Sequence, residues 1–204
     1  MSYLPELVTL GSVLLLGCIS PGPDFVAVTS HALAERRSGL RIAHGIATAI
    51  TLWASLSVAG LAFVLSQVAL LYEVVRLAGA AYLVYLGASV LWSARHTPAK
   101  APPMQAAMKR GSFRRGFILG MTNPKAAVFF SSLFATLLPA QAPAWVYGAT
   151  IALAAATAFG WFTVVALAFS IGRVQQLYGK ARRGIDIVMG TLLSLLGLRL
   201  AFER

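Results

Sequence analysis

The sequence predicts an all-α membrane protein: six transmembrane helices arranged as two inverted three-helix repeats, with helices 1 and 4 broken. Three observations carry the prediction. The 204 residues are 58% hydrophobic with a mean hydropathy of +0.77, far more apolar than a chain that must face water. Six apolar stretches reach the roughly 20 residues a spanning helix needs. Two of them are interrupted at corresponding places, by Ser20-Pro21-Gly22-Pro23-Asp24 and by Asn123-Pro124-Lys125.

The six stretches run over about 4–31, 40–66, 70–93, 115–138, 143–171 and 184–201. Their connections are short except for 94–114, which holds Pro98, Pro102, Pro103 and five basic residues and reads as a linker. The chain is therefore one transporter-like domain of two halves, 1–95 and 114–204, joined by a cytoplasmic segment at 96–113. An odd number of spans in each half places the second half upside down relative to the first. The N-terminus lacks a basic region and a small-residue cleavage site, so the first segment is expected to stay.

The net charge of +11 comes from 17 Lys and Arg against 6 Asp and Glu. Thirteen of the 17 fall in 32–41, 94–115 and 172–183. Three short basic loops on one side orient a polytopic protein and place both termini on the opposite, periplasmic side of a bacterial inner membrane. Charge spread in this way does not form a nucleic-acid-binding surface. The single Cys18 excludes an intramolecular disulfide and a cysteine metal cluster.

Proline within a helix removes a donor and displaces the carbonyl four residues earlier. Lipid cannot satisfy the freed groups, so both interruptions are expected to line a cavity inside the protein. Asp24 and Lys125 are the only full charges deep within the spans, and burial there demands a partner. They pair with each other across helices 1 and 4, or they hold a substrate of opposite charges, Asp24 taking an ammonium and Lys125 a carboxylate, and the two readings coexist where a pair closed when empty opens around an amino acid. Asp24 is also the natural proton carrier. Asn123 adds an amide at the break, Ser20 and Thr122 add hydroxyls, and exposed backbone at Pro21, Gly22, Pro23 and Pro124 adds further hydrogen-bonding groups.

Trp53 and Trp161 fall near the middle of helices 2 and 5, counterparts in an inverted repeat, and either line the pathway or face lipid. Trp92, Trp145, Tyr72 and Tyr147 suit an interfacial belt. His31 and His44 flank the first loop as ordinary solvated or capping histidines. Glu73 and Arg76 form a local helix pair. Asp186 is expected in the first turn of helix 6, facing the helix dipole, and Arg199 is expected to snorkel outward. Gly79, Gly87, Gly190 and Gly197 offer small surfaces for helix packing and allow a homodimer. No metalloprotease, serine-hydrolase or phosphate-loop motif and no metal-binding carboxylate cluster occurs, so the sequence predicts no enzyme and no metal.

The breaks, with Ala126 and Phe129-Phe130 after the second, resemble the lysine exporter (LysE/RhtB) superfamily. So do Leu77–Gly87, Ile185–Gly190 and Leu196–Leu200, and the resemblance covers the whole chain. The form Pro-Gly-Pro-Asp-Phe is similar to that of threonine and homoserine exporters. The resemblance implies efflux of amino acids or their derivatives driven by proton antiport, with membrane lipids as surroundings and no cofactor, and the reading taken is export of a neutral amino acid such as threonine or homoserine. The competing reading is a membrane scaffold or a lipid-modifying enzyme. Two departures stand out. Ala49 replaces a usual glycine, which implies a wider helix contact, and the Gly120–Asn123 approach lacks an upstream asparagine.

Overall fold

A computed structural model describes residues 3–20, 22–67, 69–96, 112–138 and 142–202. Among them every regular element is a helix: α1 (Leu4–Ile19), α2 (Pro23–Ala34), α3 (Arg36–Gln67), α4 (Ala69–His96), α5 (Phe113–Met121), α6 (Pro124–Leu137), α7 (Ala144–Phe169) and α8 (Gly172–Phe202). The expected linker lies largely outside the described residues. So do Pro21 and the side chains of Tyr72, Glu73, Arg76 and Pro124.

Both interruptions divide a helix. α1 stops at Ile19, Gly22 is fully extended (φ −161°, ψ −177°), and Pro23 opens α2 at a bend of 60°. Proline is tolerated at a first helical position because its missing N–H has no partner there anyway. The second break follows the same rule. α5 stops at Met121, Asn123 leaves helical geometry (φ −77°, ψ 105°), and Pro124 opens α6.

Two expected loops are helical instead. Glu35 alone separates α2 from α3, and the sharp reversal rests on Gly39, where a Cβ would lie 2.6 Å from the Ala32 Cα. At the other site only Ser170 and Ile171 separate α7 from α8. The basic stretches read as loops are the polar first turns of α3 and α8, because charge marks exposure and not the absence of a helix. Asp186 is consequently no first-turn residue. It lies well inside α8, 5% exposed, with Arg182 Nε 3.7 Å from its Oδ2.

Among the described residues three helices are long and apolar enough to cross a membrane, over Arg36–Gly60, Leu77–Arg95 and Ala144–Phe169, and the bent pair α1–α2 passes the same test when its two helices are taken as one span. Large apolar side chains face outward along the chain, among them Val8, Leu52, Leu56, Val164, Leu192 and Leu195. An apolar exterior of this extent fits lipid and not water. The protein is an all-helical membrane protein.

α3 is the central helix, packed on α2, α5, α6 and α7, with Ile42, Ala43, Ile46 and Ala47 fully buried. Its approach to α5 is backbone-close. A Cβ on Gly45 would collide with the Phe113 carbonyl, and one on Gly116 with the Ile42 carbonyl. The Ala49 methyl is accommodated because Gly120 stands opposite, where a Cβ would lie 2.7 Å from it. α4 packs on α8 and α6. Gly87 and Gly190 face each other's carbonyls at 2.6 and 2.8 Å from an added Cβ, Gly79 meets Ser132, and Gly197 meets Ala80. These glycines, read above as a surface that allows assembly, are used within the chain.

Candidate functional site

The N-termini of α2 and α6 bring the two breaks to one cavity of about 40 Å³. Asn123 organises it. As N-cap of α6 its Oδ1 accepts from the Lys125 backbone N–H at 3.0 Å, which turns its Nδ2 outward to donate to Asp24 Oδ2 at 2.7 Å. The amide orientation is fixed from both sides, since exchanging O and N would set a lone pair against the carboxylate and a donor against a donor. Asp24 Oδ1 is buried and has no partner among the described residues.

Lys125 reaches the other break. Its Nζ donates to Ser20 Oγ at 3.0 Å and to the Ser20 carbonyl at 3.3 Å, and it sits against Gly22. Among the described residues the ion pairs within 4.0 Å do not include Asp24 with Lys125. Each charge is held by neutral groups of the opposite break. Of the two readings above, closure of the pair on itself is therefore not the arrangement seen.

Lys125 also stands in the first turn of α6, where the partial positive charge of the helix end disfavours a cation. A helix N-terminus and an ammonium together form a site for an anion such as a carboxylate. The free Asp24 oxygen is an acceptor for a cation. These complementary places lie in one cavity whose remaining wall is apolar: Phe25, Ile50, Phe129, Phe130 and Phe162. Its volume is that of a few water molecules, so admitting a larger solute requires the breaks to move apart.

Of the residues singled out in the sequence, Ser20, Gly22, Asp24, Asn123 and Lys125 line this one cavity. Pro23 is exposed at the start of α2. Thr122 is exposed, and its hydroxyl bonds back to the Ile118 and Leu119 carbonyls. Gly17, Cys18, Ile50 and Phe162 line the cavity without having been expected to. Their only sequence signal is a position one helical turn from a break or on the face of α3 or α7 that packs inward. Asp186, the second buried acid, lies on α8 away from this cavity lining, with Oδ1 unpartnered among the described residues. His31 is buried, its Nδ1 2.8 Å from the Ala27 carbonyl, and exposed His44 meets Thr163 Oγ1 at 3.2 Å. Trp53 and Trp161 are both half-buried.

The chain is similar to proteins of known name. It is 28% identical over 200 residues to a threonine efflux protein of Salmonella typhi, covering 96% of this chain and 97% of the relative. It shows the same identity and coverage with a threonine efflux protein of Escherichia coli (strain K12). A leucine efflux protein of Salmonella choleraesuis (strain SC-B67) is 31% identical over 124 residues, 60% of this chain and 58% of that one. No solved structure matches significantly. The LysE type translocator family matches residues 15–204. With that match over a helical bundle whose two breaks meet at one cavity, the chain belongs to the LysE type translocator family and is a membrane transporter, not an enzyme.

Proposed function

We propose that this chain exports a neutral amino acid, such as threonine or homoserine, across the bacterial cytoplasmic membrane in exchange for protons. The observation that carries this reading is that Asp24 and Lys125 share one cavity without pairing. A zwitterion supplies what each lacks. Its α-carboxylate meets Lys125 at the α6 N-terminus, and its α-ammonium meets Asp24 Oδ1. Ser20, Pro21, Gly22, Pro23, Asn123 and Pro124 shape the two breaks around it. A side chain carrying a second positive charge finds no further acid in the cavity wall, which favours a neutral one. The names of the relatives support an amino acid as the solute.

Six spans in two inverted halves accommodate this site. α5–α6 supplies the fourth span and α8 the sixth, whose Ile187, Val188, Leu192, Leu195 and Leu198 point outward as a lipid-facing stripe. Parallel contacts support the repeat. α1 runs along α7 as α5 runs along α3. Exposed arginines gather at the N-terminal ends of α3, α5 and α8 (Arg36, Arg37, Arg114, Arg115, Arg173), where the helix dipole disfavours cations. Their value lies in orientation, which puts these ends in the cytoplasm and both termini in the periplasm. Asp24 carries the proton, since it is the only acid in the cavity wall among the described residues.

Inverted membrane vesicles with an imposed pH gradient test the reading. They should accumulate radiolabelled threonine or homoserine, and collapsing the gradient at clamped potential should stop accumulation. Vesicles that take up no neutral amino acid at any gradient contradict it.

A further inference from the structure

A proline four residues after a helical carbonyl deprives that carbonyl of its ordinary donor. Two glycines stand in this position: Gly120 before Pro124 and Gly17 before Pro21. At Gly120 the loss is made good from α3, where Trp53 Nε1 donates to the Gly120 carbonyl at 3.2 Å. The same oxygen also takes bonds from its own turn, from the Asn123 N–H at 3.4 Å and from the Thr122 N–H, which is shared with the Ile118 carbonyl.

In the inverted-repeat reading the counterpart of Trp53 on α7 is Trp161, the tryptophan near the middle of that helix. The Tyr3 and Trp145 rings lie 5.7 Å apart, and a Cβ on Gly11 would lie 3.3 Å from Leu153, which fixes the parallel register of α1 on α7. Carried six residues further, that register sets Gly17 level with Phe159. The side chain of Trp161 leans toward the N-terminus of its own helix and so returns to that level. Its indole N–H is buried and has no hydrogen-bond partner among the described residues. An indole nitrogen is a donor only, and leaving it buried and unmatched is costly.

Each of the two glycine carbonyls leads into one half of the polar site. Gly120 leads into Asn123, which holds Asp24. Gly17 leads into Ser20, which holds Lys125. We propose that Trp53 and Trp161 are reciprocal positioning residues: the Trp53–Gly120 bond fixes the α5–α6 break in the access state seen here, and in the opposite state Trp161 donates to the Gly17 carbonyl while Trp53 releases Gly120. The proposal rests on the inverted-repeat reading above. It explains why one tryptophan is bonded and its counterpart is not: only one break is tied at a time.

The native Cys18, half-buried in the cavity wall, is a reporter that needs no substrate. Its labelling by a membrane-impermeant maleimide is measured from each face of oriented vesicles for wild type, Trp53→Phe and Trp161→Phe, which lose the N–H and keep the ring. Removing the bond of one state favours the other. The ratio of labelling from the two faces should therefore move in opposite directions in the two variants, each by about threefold to tenfold, the worth of one net hydrogen bond. Movement in the same direction, or ratios within about twofold of wild type, overturns the proposal. If one variant fails to reach the membrane, the other decides by the same twofold limit. Unmoved labelling in a chain that still exports amino acid defeats the switch alone. Absent export with opposed labelling defeats the functional reading alone.

Discussion

A single amide, that of Asn123, decides how the two charges of the site behave. Its oxygen is committed to the α6 cap and its nitrogen to Asp24, so it both starts a helix and keeps a carboxylate from closing on Lys125. Asn123→Asp keeps the cap but sets a second carboxylate against Asp24. Export should fall at least about tenfold, since leaving a buried charge without its donor costs more than 1.4 kcal/mol, while the protein remains in the membrane by immunoblot. Asp24→Ala and Lys125→Ala should each abolish export with membrane levels retained; normal export by either removes that residue from the mechanism. Both charges were legible in the sequence, because a full charge inside an apolar span has few innocent explanations. Their separation was not legible. It depends on Asn123 reaching across to Asp24 and Lys125 to Ser20, and no local pattern encodes that approach. Asp186 was misplaced for a related reason: the basic residues before it mask the true start of its helix.

At the scale of elements, the two breaks follow from proline and glycine placement and were the most legible part of the fold. Close helix contacts were less so. Glycine is common in spanning helices, and sequence alone does not say which glycines meet a neighbour. The structure separates them. Gly45 and Gly116 lie where α3 and α5 touch backbone to backbone, whereas Gly148 and Gly160 have open space around an added Cβ. Gly45→Ala should therefore destabilise the detergent-solubilised protein by about 1–3 kcal/mol in thermal unfolding, as overpacking does. Gly160→Ala should leave it unchanged or slightly firmer. Equal effects from both would show that the α3–α5 seam is looser than described. The helical first turns of α3 and α8 were read as loops because their charge matches that of a connection. Only the turns at Glu35 and at Ser170-Ile171 reveal how short the connections are.

For the whole molecule, composition and charge distribution established a membrane protein before any helix was placed. The helical bundle and the family match agree with that reading. The six-span arrangement makes its own demand. In a variant whose Cys18 is replaced, cysteines introduced at Ser2 and at Arg204 should each be labelled from the outside of intact cells, and protection of either breaks the proposed topology. The central claim is that opposite ends of one solute are held at the two breaks, and blocking one end of that solute at a time tests it most directly. In inverted vesicles, uptake of radiolabelled threonine is competed with threonine, threonine methyl ester and N-acetylthreonine. The account predicts that threonine competes and that each blocked analogue is at least about tenfold weaker, the loss of one charge-assisted contact. Competition by either analogue as strong as that of threonine itself would contradict it.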